Sequence, residues 1–293
     1  MDLRAIGMGL AFALMWSSAF TSARIIVQDA PPLASLSLRF FLSGLIGVAI
    51  ALAMGQTWRL SRAQWRATLI FGLCQNALYL GLNFVAMQWI EASLASIIAS
   101  TMPLMVAGAG WLVFREKLPA MGLFGLGLGI LGVCLIMGSR ISAGVDLTGV
   151  AFCVLGALAL TVATLSVRGA SSGGNVMMIV GLQMFVGAIA LAVVSAVTET
   201  ISVTPTLRLG IAFAYTTLVP GLLATFVWFS LVNRIGAVRA ATFHFLNPVF
   251  GVAIAAALLG ERLGWLDVVG VGIVTLGILF VQLARQAPPL KPH

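Results

Sequence analysis

The chain has 293 residues, of which 61% are hydrophobic and only 8% are charged. Soluble domains are about half apolar and about a quarter charged, and disordered chains are more polar still, so both classes are excluded. The net charge of +8 does not indicate a nucleic-acid partner, because the basic residues are scattered between apolar runs. The composition is typical of an integral membrane protein whose main surroundings are the lipid bilayer.

Ten apolar stretches follow one another along the chain. A bilayer core about 30 Å thick requires roughly 20 apolar residues in a helix, and each stretch has about that length. The predicted spans are 4–25, 33–54, 66–88, 93–113, 119–138, 147–168, 175–197, 208–231, 238–259 and 265–285. The short connections leave no room for a soluble domain, so we expect an all-α membrane protein of ten transmembrane helices.

Lysine and arginine are divided unequally between the two sides of these spans. Eleven lie on the side that holds both termini, and four lie on the other side. Because positive residues are enriched in cytoplasmic loops, both termini are predicted to be cytoplasmic and the protein to lie in the plasma membrane.

The sequence repeats itself at an offset of 145 residues. At this offset Pro103 aligns with Pro248 and Glu116 with Glu261. Each copy carries five spans, and an odd number makes the second copy cross the membrane in the opposite sense. Such inverted repeats are typical of secondary transporters, whose substrate site lies near the midplane between the halves. The predicted boundaries are 1–142 for the first repeat, 143–285 for the second and 286–293 for a short cytoplasmic tail.

Several short motifs accompany the repeat. Trp16 and Phe20 lie one turn apart in span 1, Arg39 precedes Phe40 in span 2, and Pro103 is followed by the sequence Arg-Glu-Lys-Leu at 115–118. Together with the two five-helix copies, these motifs resemble the EamA-type drug/metabolite transporter superfamily over nearly the whole chain.

Within that superfamily the chain is most similar to bacterial amino-acid exporters, including aromatic amino-acid exporters that also expel paraquat-like compounds. The resemblance implies two inverted five-helix bundles around a central cavity, in a bacterial inner membrane. It implies export of small metabolites, amino acids above all, by alternating access. The second copy departs from the pattern, since Thr161 and Gln183 lie near the positions of Trp16 and Arg39, so the two half-sites differ chemically.

Polar residues inside the spans are the candidates for the substrate path, because such groups are costly in hydrocarbon. Asn76, Tyr79 and Asn83 form one stripe on span 3, and Ser100 and Thr101 lie in span 4. We expect these residues to line a cavity. Hydrogen bonding and close packing between helices is the alternative for each.

Aromatic residues well inside the spans predict the walls of the cavity. Trp16, Phe20 and Trp228 suit a bulky apolar or aromatic ligand, and a buried indole N–H needs a partner. His244 and Asn247 share one face of span 9. His244 is interpreted either as a buried neutral side chain or as a ligand contact.

Two prolines and one arginine have roles that the sequence leaves open. Pro103 and Pro248 each remove a backbone N–H at equivalent points of the two copies, which indicates a kink or a hinge that gates the cavity. Arg39 lies about two turns into span 2, where it has a structural role or binds a substrate carboxylate.

The acidic residues exclude one mechanism. Every Asp and Glu lies at or near a span end, so no mid-membrane carboxylate is available for the proton-for-cation exchange of the small multidrug-resistance relatives. We therefore expect a neutral or zwitterionic substrate. No metal or cofactor site is expected, since the three cysteines lie apart from each other and from histidine.

Other functions remain as alternatives at this stage. A drug, nucleoside or other metabolite transporter of the same fold is the nearest one. A channel is disfavoured because no charged ring or filter sequence is present, and an intramembrane enzyme because no HExxH, GxSxG or acid pair is found. We expect a monomer, although the glycines of span 5 also allow a dimer.

Overall fold

A computed structural model describes residues 2–113, 115, 118–166 and 174–286. Within these residues, ten helices are long and apolar enough to cross a bilayer. They match the predicted spans in order, and they confirm the all-α membrane fold of ten helices in two repeats. The helices are α1 (Leu3–Asp29), α2 (Pro32–Ala53), α3 (Arg62–Ala86), α4 (Ala92–Leu112), α5 (Ala120–Ser142), α6 (Leu147–Ser166), α7 (Val176–Thr198), α8 (Leu207–Ile235), α9 (Arg239–Leu259) and α10 (Trp265–Ala284).

Most helix ends lie within four residues of their predicted positions, and the fifth helix extends past its predicted end at residue 138. The α5 helix continues to Ser142 because Arg140, in its last turn, forms an ion pair with Asp267 at 3.1 Å and another with Glu91. Glu116 and Lys117 of the repeat motif, the end of predicted span 6 and residues 287–293 of the predicted tail lie outside the described residues.

The helices pack in pairs that follow the internal repeat. Three pairs join equivalent helices of the two copies, namely α2 with α7, α4 with α9 and α5 with α10. Two further pairs correspond to each other in the repeat. The third helix of the first copy, α3, packs on the first helix of the second copy, α6, and likewise α8 of the second copy packs on α1 of the first. Such pairing is what a pseudo-two-fold axis between two inverted five-helix units produces.

Glycines bring α5 and α10 into backbone contact. A Cβ atom added to Gly277 would lie 2.5 Å from the backbone nitrogen of Gly129, and one added to Gly132 would lie 2.9 Å from the carbonyl oxygen of Gly270. Small residues permit such an approach, which replaces the hydrophobic effect as the basis of helix association in lipid. The sequence allows the glycine face of α5 either to pack within the monomer or to form a dimer. In this structure it packs against α10 of the same chain.

The helical backbone departs from α geometry at equivalent points of the two copies. In α3 a π-helical segment covers Gly72–Leu80, and in α8 another covers Thr217–Leu223. The first residues of these segments are 145 apart, which is the offset of the repeat. The departures are thus part of the duplicated unit.

The two prolines predicted as kinks also mark equivalent breaks. The α4 helix stops at Ser100 and restarts at Met102 with Pro103 in its first turn. In α9, a 3₁₀ turn precedes the helix that starts at Asn247 with Pro248. A proline in the first turn of a helix removes no hydrogen bond that the helix could make, so proline is tolerated at these two positions. The predicted kinks are present as helix breaks. Movement at them stays a prediction.

Two glutamates fasten helix ends at the membrane face opposite the N-terminus. The Glu199 carboxylate accepts hydrogen bonds from the backbone N–H groups of Leu33 and Ala34, at 2.8 and 2.9 Å. In the same way Glu261 accepts from Ala92 and Ser93. Each carboxylate satisfies otherwise unpaired N–H groups and complements the helix dipole, so it joins helices of different copies.

The glycine contact predicts the effect of one added methyl group. We expect Gly277→Ala to destabilise the fold by about 1–3 kcal/mol, since the new Cβ would overlap backbone that cannot move aside. The matched control is Gly272→Ala in the same helix, where nothing lies within 4 Å of the added atom. Thermal unfolding in detergent, followed by size-exclusion chromatography, measures both. Equal melting temperatures for the two variants would contradict the contact.

Candidate functional site

A small cavity lies between α1, α2, α3 and α8, with ten of its lining residues in the first copy of the repeat and one, Pro220, in the second. Its volume is about 40 Å³. It is lined by Trp16, Ala19, Phe20, Ala23, Arg39, Tyr79, Leu80, Asn83, Phe84, Met87 and Pro220. Five predicted site residues therefore meet at one place, namely Trp16, Phe20, Arg39, Tyr79 and Asn83.

Aromatic side chains form much of the cavity wall. Trp16 and Phe20 are four residues apart on α1, so their side chains lie one above the other on the same helix face. Tyr79 and Phe84, which are 3% and 2% exposed, supply the wall from α3. Such surfaces suit an apolar or aromatic group of a ligand.

Two polar side chains in the wall have atoms without hydrogen-bond partners. Among the residues that the structure describes, the Nε atom of Arg39 has no acceptor and the Oδ1 atom of Asn83 has no donor. The Asn83 Nδ2 atom donates to the Tyr79 carbonyl at 2.7 Å. Because native proteins satisfy nearly all buried polar groups, two such atoms in one cavity need an explanation.

A second group of predicted residues forms an aromatic cluster directly below the cavity. The Phe12 ring lies 4.7 Å from the Trp228 ring and 5.6 Å from the Trp16 ring, measured between centroids. His244 meets Phe12 edge-on at 5.3 Å and Trp228 at 5.2 Å. Trp16 belongs to both groups, so it connects the cavity with this cluster.

Hydrogen bonds fix His244 and Asn247 within the cluster. The Asn247 amide nitrogen lies 2.9 Å from His244 Nδ1, and the Asn247 carbonyl accepts from Ser17 Oγ at 3.2 Å. The amide Oδ1 of Asn247 is buried without a donor. These contacts bind α9 to α1 at the restart of the helix, and they place both residues one layer away from the cavity.

The cavity is covered from the N-terminal side by several layers. Beneath the aromatic cluster, Ala5, Leu231, Ala240 and Phe243 form a separate buried cluster. At the surface, Arg234 binds the Asp2 carboxylate, with Nε 3.0 Å from Oδ2. The hydrogen bond from Arg234 lowers the pKa of Asp2 to about 2, so this carboxylate is charged at neutral pH.

A thinner layer covers the cavity from the opposite side. Arg24 donates to the Met87 carbonyl and ties α1 to the end of α3. Val27, one turn beyond Ala23, lines a polar vestibule of about 510 Å³ together with Val85 and Gln88, and Asp29 and Glu199 contribute to it. The closure of the cavity is therefore unequal on its two sides.

Three predicted lining residues lie away from the cavity and are engaged in helix contacts. Asn76 is 2% exposed and donates to the Gln183 carbonyl of α7 at 2.9 Å. Ser100 and Thr101 donate to carbonyls of their own helix at 2.6 Å. In this structure Asn76 therefore has the interhelical hydrogen bond that was the alternative to lining the cavity. Ser100 and Thr101 are bonded within their own helix.

Six residues of the wall were not predicted, and five of them carry no polar signal in the sequence. These are Ala19, Ala23, Leu80, Phe84 and Met87. Pro220 was recognisable, since a proline inside an apolar span is as informative as Pro103 or Pro248. It lies in the π segment of α8.

A duplicated ten-helix fold with a small aromatic cavity between its halves defines a class of protein, the secondary transporters. Within the described residues, no cluster of His, Cys, Asp and Glu could hold a metal ion. The sequence model of the EamA-like transporter family matches residues 3–138 and again residues 147–283. The chain belongs to this family of membrane transporters.

Relatives of similar length support the assignment. The chain is 26% identical to the uncharacterized inner membrane transporter YedA of Escherichia coli (strain K12), over 97% of this chain and 93% of YedA. It is 25% identical to the uncharacterized transporter YvbV of Bacillus subtilis (strain 168), over 95% and 92%. A solved crystal structure, 19% identical, aligns over 98% of this chain and 99% of the other with a TM-score of 0.68, which shows the shared fold. The protein is therefore a multi-pass membrane transporter.

The position of Trp16 predicts a specific loss of function. We expect Trp16→Leu to reduce the transport rate about two- to ten-fold, because it removes aromatic contacts worth about 0.5–1.5 kcal/mol from the cavity wall. The control is Trp111→Leu, whose side chain is 42% exposed on the outer surface of α4. Initial rates in proteoliposomes measure the difference. A native rate in the Trp16 variant would exclude this residue from the site.

Proposed function

We propose that this protein exports small metabolites, most of all amino acids including aromatic ones, across a bacterial inner membrane with both termini in the cytoplasm. The observation that carries the proposal is the cavity between the two halves, which combines aromatic walls with one guanidinium and one amide. Apolar walls with a few placed polar groups are typical of small-molecule sites. A zwitterion with an apolar side chain fits this combination.

Alternating access accounts for the size and the closure of the cavity. At about 40 Å³ the cavity is far below the roughly 300 Å³ of a metabolite site, so it must widen during transport. The helix breaks at Pro103 and Pro248 and the π segments of α3 and α8 interrupt the regular α-helical hydrogen bonds, so bending there disrupts fewer of them. In this proposal they act as the hinges.

The charge distribution supports transport that needs no proton. Each acidic residue in the described part of the chain lies at a helix end or in a connection, as for Asp29, Glu91, Asp146, Glu199 and Asp267. No described carboxylate is therefore placed at the cavity to carry a proton through the cycle. Exchange or facilitated export of a neutral solute is the mode that follows.

Counterflow in proteoliposomes tests this function. Vesicles loaded with an unlabelled amino acid at millimolar concentration are diluted into a trace of the same labelled compound. We expect a transient accumulation of label that persists with equal pH on both sides and a protonophore present, because the solute gradient alone drives the exchange. Protein-free vesicles and the Trp16→Leu variant are the controls.

Two results would contradict the proposal in different ways. Absence of accumulation for every amino acid, together with a rise in melting temperature on adding nucleosides or cationic drugs, would replace the substrate class. Complete loss of accumulation on dissipating the proton gradient would replace the mode of coupling.

A further inference from the structure

Arg39 carries a buried positive charge that no carboxylate of the described residues neutralises. The residue is 6% exposed, its Nε atom has no acceptor, and no carboxylate of the described residues forms an ion pair with it. Its guanidinium carbon lies 5.2 Å from the centre of the Phe40 ring. A guanidinium stays protonated in proteins, so a full charge stands in the wall of the cavity.

The Arg39 guanidinium lies close to the second copy of the repeat. A Cβ atom added to Gly221 would lie 3.4 Å from Arg39 Nη2, so the charge reaches the π segment of α8 beside Pro220. Buried charges normally pair with an opposite charge, and intramembrane ones mark substrate or ion pathways. Arg140 illustrates the normal case, since Asp267 and Glu91 both bind it.

Asn83 gives the same cavity an unpaired acceptor. Its Nδ2 atom donates to the Tyr79 carbonyl, and this bond fixes the orientation of the amide, since the reversed amide would place two oxygens against each other. The Oδ1 atom is therefore the one left without a donor. Two residues that line the cavity, Arg39 and Asn83, therefore carry one unpaired cationic donor and one unpaired acceptor among the described residues.

We propose that Arg39 binds the carboxylate of the transported solute and that Asn83 Oδ1 accepts a hydrogen bond from its amino group. The inference rests on the proposed function and narrows it to solutes with an amino-acid headgroup, whose side chain then meets Trp16 and Phe20. A guanidinium presents parallel donors that match the two oxygens of a carboxylate. An amine without a carboxylate gains nothing from this charge and is repelled by it.

Three probes that share one phenyl ring test the headgroup site. These are L-phenylalanine, 2-phenylethylamine, which lacks the carboxylate, and 3-phenylpropionate, which lacks the amine. Their affinities are measured as inhibition of counterflow by the full-length protein in proteoliposomes, and as calorimetric binding in detergent. We expect the native protein to bind L-phenylalanine at least about ten-fold more tightly than 2-phenylethylamine.

Two variants assign the preference to the two side chains. Arg39→Gln is expected to weaken both acids by roughly ten- to hundred-fold and to erase their advantage over the amine, whereas Arg39→Lys keeps the advantage with lower affinity. Asn83→Ala is expected to lower the affinity for L-phenylalanine to that of 3-phenylpropionate and to leave the latter unchanged.

The melting temperature of the ligand-free protein separates a binding role of Arg39 from a structural one. Removing an unpaired buried charge relieves a desolvation cost, so Arg39→Gln is expected to keep or raise the melting temperature. Arg140→Gln is the matched control, and it is expected to lower the melting temperature because it leaves buried Asp267 unpaired. A fall for Arg39→Gln as large as that for Arg140→Gln would overturn the proposal.

The results with the three probes also decide whether the headgroup site exists. Native binding of 2-phenylethylamine as tight as that of L-phenylalanine, or an Arg39→Gln variant that keeps the native order of the probes, overturns the headgroup site and leaves metabolite export standing. Binding of none of the three probes also overturns the site. Counterflow with the other amino acids then decides separately whether the proposed function falls with it.

Discussion

The need to satisfy every backbone polar group inside hydrocarbon is the constraint on which this structure depends. A lipid-facing helix cannot be interrupted, so breaks are tolerated only where protein or a cavity covers them. The restarts at Met102 and Asn247 obey this rule, since Ser100, Thr101, Pro103, Asn247 and Pro248 are all buried. They recur at the offset of the repeat, and the π segments supply Tyr79, Leu80 and Pro220 to the cavity. The duplicated unit thus brings its irregular backbone to the middle of the molecule.

The same constraint explains why the fold was predictable and the site only in part. Hydropathy and length locate ten spans, and the repeat with an odd number of spans fixes the inverted pairing. The stripe on α3 was interpreted with 3.6 residues per turn, but the π segment changes the rotation between residues 76 and 83. Asn76 consequently faces α7, while Tyr79 and Asn83 face the cavity. A helix irregularity of this kind depends on tertiary contacts, which no local pattern in the sequence reports.

Stability and binding make opposite demands on the cavity. Elsewhere charges are paired or lie at helix ends, as with Arg140 between Asp267 and Glu91 and Glu199 on the first turn of α2. At the cavity, Arg39 and Asn83 keep unpaired atoms, which opposes folding. Glycine contacts join α5 and α10, neither of which lines the cavity, and stabilise that part of the bundle. In the proposed function, a bound solute supplies the partners that these polar atoms lack.

The two repeats are alike in backbone and unlike in chemistry, and both properties matter for a transporter. Backbone symmetry makes two conformations, each the inverted counterpart of the other, similar in energy, which alternating access requires. A symmetric site would bind a solute in two opposite poses. Here Trp16 and Arg39 line the cavity, whereas Thr161, near the position corresponding to Trp16, donates to a carbonyl of its own helix, and the carbonyl of Gln183, near that of Arg39, accepts from Asn76. In the proposed function, the first copy therefore carries the recognition chemistry, and the second copy mainly supplies the surface against which it moves.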